Sequence, residues 1–191
     1  MTAATFSSND ILKHPAALVG AVAAGFAFGL AANFGRKAIV QGITAAQGDW
    51  DEGLKAEHRM TLKLFDAIEA CEPRQTKKRA ALLVQLQHAL GKHAFEEENV
   101  VYPAMRDHGQ IEEADRLVHD HGYVKQYLFD LSEMSSGDPQ WIGKLRAFRG
   151  EIEEHIRIEE EELFPRLREA LGDEGNAHIT AVMNKAGLAA A

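Results

Sequence analysis

The chain has 191 residues, 46% hydrophobic and 26% charged, enough for one globular domain with chain to spare and too few for two full ones. A formal net charge of −8 excludes a protein that works by neutralising nucleic-acid phosphates. A single cysteine, Cys71, excludes a disulfide framework and a thiolate metal cage and fits a reducing cytoplasm, while nine histidines beside 29 acidic residues turn attention to metal ligands.

Residues 1–48 read as an apolar helix followed by a linker. Between Pro15 and Gly35 no side chain is ionisable, with Lys13 before the stretch and Arg36-Lys37 after it. That length spans a hydrocarbon core. Small residues recur at Ala21, Gly25 and Gly29, and bulky ones at Leu18, Val22, Phe26, Leu30 and Phe34. Two readings stay open for residues 15–35: membrane association, or a helix buried against its own domain or a second copy of the chain. The expected location is cytoplasmic, with membrane attachment under the first reading.

Residues 49–172 read as four helices. Asp49 is placed to cap the first, which begins at Trp50 and ends near Cys71, ahead of Pro73. The second runs from about Thr76 to Asp107 and stops at His108-Gly109. The third covers about Ile111 to Met134. The fourth starts at Asp138-Pro139, an N-cap followed by a proline suited to the first turn, and ends at Leu171 with Gly172 as its C-cap. Strand signals are absent. The fold class is therefore all-α, an antiparallel four-helix bundle with an extra N-terminal apolar helix, and residues 173–191 read as a C-terminal tail.

An internal repeat carries the chemistry. HAFEEENVVYPAMR (His93 to Arg106) aligns without gaps on HIRIEEEELFPRLR (His155 to Arg168), matching His93/His155, Glu97/Glu159, Glu98/Glu160, Tyr102/Phe164 and Pro103/Pro165. Upstream of each block an acidic-His pair, Glu57-His58 or Asp120-His121, opens an amphipathic helix. Side chains four apart on a helix share a face, so each His-x3-Glu presents a nitrogen and a carboxylate to the same neighbour. With one histidine from each remaining helix, four nitrogens and two carboxylates converge in the core. That set suits iron, and less specifically manganese or zinc; two carboxylates able to bridge make a two-metal site the natural arrangement. His14, His88, His108 and His178 read as structural, Cys71 as a passive helix-end thiol, and Tyr102 and Phe164 as packing at the hairpin ends.

The duplicated His … His-x3-Glu-Glu … [Phe/Tyr]-Pro pattern resembles the hemerythrin-like (HHE cation-binding) domain over about Asp49 to Leu171. The resemblance implies metal ligands at His58, His93, Glu97, His121, His155 and Glu159. It implies a non-haem di-iron centre with an oxo or hydroxo bridge, and a small diatomic ligand or peroxide as partner. Its functional implication is binding or sensing of dioxygen, nitric oxide, peroxide or iron and redox state. The alternatives are a di-iron enzyme of peroxidase or oxidase type, or a metal-stapled structural adaptor. Two departures from the oxygen-carrying hemerythrins weigh against reversible carriage. Those carriers place two histidines four apart on the third helix, where this chain has His119-Asp120-His121, of which only one can face the core; His121 is chosen by its match to His58. They also carry an aspartate five residues after the fourth-helix histidine, where this chain has Glu159 at four and Glu160 at five.

Overall fold

The computed structural model describes residues 48–190, so the expected N-terminal helix at 15–35 lies outside the described residues. Helix α1 spans Trp50–Glu69 and α2 Thr76–Glu96. A π-helical turn, Glu97–Val101, joins α2 to α3, Tyr102–Asp107. Helix α4 is Ile111–Glu133 and α5 Pro139–Ile158; a second π turn, Glu159–Leu163, leads into α6, Phe164–Ala190. No strand occurs among the described residues. The connections at 70–75, 108–110 and 134–138 are short, so each helical run doubles back on the one before it, making a helical bundle.

Local chemistry explains the ends. Asp138 accepts a hydrogen bond from the Gln140 amide at 2.8 Å and Pro139 occupies the first turn, as its sequence foretells. Asp49 sits at the N-cap but does not cap: its carboxylate pairs with Arg168, and the Trp50 amide donates instead to Thr180 Oγ1 at 3.0 Å. Arg79 closes the opposite end of the bundle, donating to the Cys71 carbonyl at 3.0 Å and the Ser136 carbonyl at 3.1 Å. Cys71 is itself buried, its thiol turned to the Ala67 carbonyl.

The fourth helix breaks at Gly172, as expected, where φ is +60°, a conformation glycine adopts without steric cost. The chain beyond it, read from the sequence as a C-terminal tail, is helical to Ala190. Ile179 and Met183 join the core, and Asn176 accepts a hydrogen bond from the Trp50 indole at 2.8 Å. The helix at 173–190 thus covers the start of α1, using a buried Trp whose N–H requires a partner.

Two apolar clusters fill the bundle. One contains Trp50, Leu54, Val100, Tyr102, Leu117, Leu163 and Phe164; the other contains Phe65, Leu86, Leu90, Val124, Trp141, Phe148 and Ile152. Each fully buried large side chain contributes about 1.5–3 kcal/mol. On every long run the histidines fall between the clusters: Leu54–His58–Phe65, Leu90–His93–Val100, Leu117–His121–Val124 and Ile152–His155–Leu163. A polar layer therefore divides the core, and it must be satisfied from within.

Candidate metal centre

All six residues expected as ligands meet in that layer. His58, His93, His121 and His155 are 3–8% exposed, and Glu97 and Glu159 are fully buried. The four Nε2 atoms face inward. Glu97 offers Oε1 to His93 Nε2 at 3.1 Å and Oε2 to His121 Nε2 at 3.4 Å. Glu159 offers Oε1 to His155 Nε2 at 3.3 Å and Oε2 to His58 Nε2 at 3.3 Å. Each carboxylate thus spans a histidine of its own run and one of another helix. Among the described residues two groups have donor atoms close enough to hold an ion: His58, His93, Glu97 and Glu159, and Glu97, His121 and His155. His119, the alternative on the third helix, is exposed and packs edge-on against Tyr123.

Carboxylates stand behind the rings. Glu160 meets His58 Nδ1 at 2.7 Å, Glu57 meets His93 Nδ1 at 3.1 Å, and Glu98 meets His121 Nδ1 at 3.0 Å. Asp120 lies 3.9 Å from His155 Nδ1, outside hydrogen-bond range. A carboxylate at Nδ1 holds the proton there and turns the Nε2 lone pair inward, the tautomer a metal requires. Glu160 therefore supports a ring, while Glu159 faces the cluster. These supports were visible in the sequence only as the acidic neighbours of the histidines and as the second glutamate of each repeat.

That tautomer makes one distance decisive. His58 Nε2 and His93 Nε2 are 2.9 Å apart, so two inward lone pairs confront each other unless a proton or cation lies between them. Glu97 Oε1, Glu159 Oε2 and both ring nitrogens of His155 are buried without a hydrogen-bond partner. Such atoms are expensive to bury. The electrostatics agree. Burial opposes charge on His93, but Glu97 and Glu57 outweigh it and raise its pKa well above the ordinary value. Burial also opposes charge on His155, yet Glu159 and Asp120 push its pKa up to about 10. Against the penalty of burial, His155 and His58 hold Glu159 well below the usual carboxylate range. The donor set attracts cations strongly, and it fits a metal better than protons because protons leave acceptors unpaired.

Tyr102 is more than packing. Its hydroxyl donates to Glu159 Oε1 at 2.8 Å and lies 3.2 Å from both Glu97 Oε2 and His121 Nε2. Burial and the two carboxylates raise its pKa, so it remains a donor. On an α-helix, residues five apart diverge by about 140°, which points Tyr102 away from Glu97. The π turn closes on five residues and returns it to the same face. Pro103 and Pro165, each inside a helical run, were the available signal, because a proline there disrupts α-helical bonding. Phe164, the matching residue, does pack, with its ring 5.2 Å from Trp50 and stacked beside His58.

On the other face of the histidines a cavity of about 20 Å³ is lined by Thr61, Leu90, Ala94, Val124, Ile152 and the four imidazoles among others. It has room for about one water-sized molecule.

The family model for the hemerythrin HHE cation binding domain matches residues 51–167. The chain is 23% identical over 137 residues to a DNA nickase of Nostoc sp., covering 72% of this chain and 38% of that protein. It is 30% identical over 95 residues to an uncharacterized hemerythrin-like protein of Schizosaccharomyces pombe, covering 47% of this chain and 46% of that one. The chain thus spans less than half the length of both curated relatives. No solved structure gives a significant match.

Proposed function

The chain belongs to the hemerythrin HHE cation-binding family, and from that premise we propose that it is a non-haem di-iron protein that binds or senses a small oxidant or diatomic gas. His58 and His93 would hold one iron and His121 and His155 the other, with Glu97 and Glu159 placed between the two pairs. The observation that carries this reading is the pairing of inward Nε2 atoms, each pair flanked by the same two carboxylates.

Bound iron supplies a redox couple and coordination positions for dioxygen, nitric oxide or peroxide. The protein supplies the rest. Glu160, Glu57 and Glu98 orient their imidazoles and hold the proton at Nδ1. Tyr102 gives a hydrogen bond to Glu159 and thereby positions that carboxylate. The cavity has room for about one water-sized molecule, which suits a ligand of very few atoms. Beyond the ligands, its only hydrogen-bonding side chain is Thr61, so the cavity offers no evident general acid or base. That favours binding or sensing over a dedicated enzyme. Four histidines also leave more positions open than the five of the oxygen carriers, which weighs against reversible carriage.

Likeness to a nickase does not extend this proposal to DNA, since a net charge of −8 opposes a phosphate backbone. For residues 15–35 the proposal keeps both roles open, membrane association or self-association; among the described residues no helix is long and apolar enough to cross a membrane. Metal analysis with an optical spectrum tests the centre. Two irons per chain with near-ultraviolet and visible absorption are expected; one zinc per chain and a silent spectrum would refute the reading.

A further inference from the structure

The two hairpins repeat in sequence, yet the two sides of the centre differ. Behind His93, Lys92 is buried; it donates to Glu57 and to both oxygens of the buried Glu96, at 2.8 and 2.9 Å. This ion cluster closes that side with side chains committed to one another. In the aligned repeat Glu154 replaces Lys92 and Ile158 replaces Glu96. Glu154 turns outward to Arg157 at 2.8 Å, and no comparable cluster covers His155 among the described residues.

A groove of about 200 Å³ instead leads from the surface to His155, lined by Asp120, Tyr123, Tyr127, Glu151 and Glu154 among others. His155 is 8% exposed, and neither ring nitrogen has a hydrogen-bond partner. Of the four imidazoles, only this one lacks a carboxylate within hydrogen-bond range of Nδ1. The nearby cations are Arg157, engaged with Glu154 and Glu162, and Arg116, close enough to act on Asp120. Glu151 is exposed and forms no ion pair among the described residues.

We propose that this groove is the entrance by which a divalent cation reaches the centre, with His155 as the first ligand to take it. The proposal rests on the reading of the cluster as a metal centre. A hydrated dication sheds its water in stages, and carboxylate oxygens suit those stages. Glu151 and Glu154 at the mouth attract the ion, Asp120 stands next to the imidazole, and the unpinned ring accepts it. A groove of one charge sign raises the local concentration of counter-ions and their rate of arrival.

Uptake of Co²⁺ by the full-length, metal-free protein, followed by visible absorption in a stopped-flow instrument, tests this. A bulky maleimide is attached to Glu151→Cys in the groove, or to Ala89→Cys, the aligned position on the closed side; wild-type protein, whose Cys71 is buried, controls for the reagent. Glu151→Lys should load about tenfold more slowly at low ionic strength, with the difference shrinking in high salt. The adduct on Glu151→Cys should slow loading at least as much, the adduct on Ala89→Cys should not, and final cobalt content should be equal in all. Equal rates for the two adducts at full final loading, or slowing confined to the Ala89→Cys adduct, would overturn the entrance while leaving the metal centre standing. Failure of wild type to take up cobalt would defeat the metal-centre reading and the entrance with it.

Discussion

Replacing Tyr102 with Phe removes one oxygen from the centre and leaves the ring that packs in the cluster of Trp50, Leu54 and Phe164. The repeat supplies Phe164 at the matching position, so the local backbone accommodates phenylalanine. The hydroxyl has one proton, donated to Glu159 Oε1 at 2.8 Å; its other neighbours, at 3.2 Å, are longer contacts. A hydrogen bond to a buried charged group contributes about 1.5–3 kcal/mol. Glu159 retains its approaches to His155 and His58, both at 3.3 Å, so the loss belongs near the lower half, about 2 kcal/mol. For a chain of this size that lowers Tm by about 4–8 °C. Thermal melts of the metal-free proteins measure it directly. Metal-loaded melts should show a smaller difference, because an ion holds Glu159 in place of the lost donor. A metal-free Tyr102→Phe protein melting within about 1 °C of wild type would show that the hydroxyl is not what satisfies Glu159.

Three further outcomes are expected. His121→Ala should lower metal content, whereas His119→Ala should keep it and change stability by less than about 0.5 kcal/mol; the reverse order would place the wrong histidine in the core. Truncation after Gly172 removes Ile179, Met183 and the partners of Trp50, a net cost of about 3 kcal/mol after the entropy of ordering that helix is offset. An unchanged urea midpoint, with no red shift of tryptophan emission, would contradict it. In the metal-free protein His155 has its pKa raised to about 10, so its stabilising contribution is complete below its ordinary value near 6.5 and is lost as pH rises toward 10. Metal-free Tm should therefore fall between pH 7 and 10, and a flat or rising profile would refute this.

The bundle and its candidate ligands were legible because both depend on spacing along single helices. Apolar periodicity, Asp138-Pro139 and Gly172 mark where helices begin and end, and His-x3-Glu puts two donors on one face whatever lies opposite. Helical angle allows only one of His119 and His121 to face the core, and the match of Asp120-His121 to Glu57-His58 selects His121; the structure buries His121 and exposes His119.

Distance in the chain concealed the rest. The role of Tyr102 depends on a π turn that shifts its register by one residue, and periodicity counted at 3.6 residues per turn carries no trace of that shift. Asp49 has the right residue type to cap α1, but Arg168, far along the chain, competes for its carboxylate and Thr180 takes the Trp50 amide. The place of the segment after Gly172 in the core becomes evident only against Trp50. Lys92 and Glu154 occupy equivalent positions in a repeat and do opposite things, since one finds buried carboxylates within reach and the other finds an exposed arginine. The sequence alone determined which groups could meet on each helix; tertiary packing decided which partners each group found, because a polar atom's energy depends on what lies within about 3 Å of it and not on its neighbours in sequence.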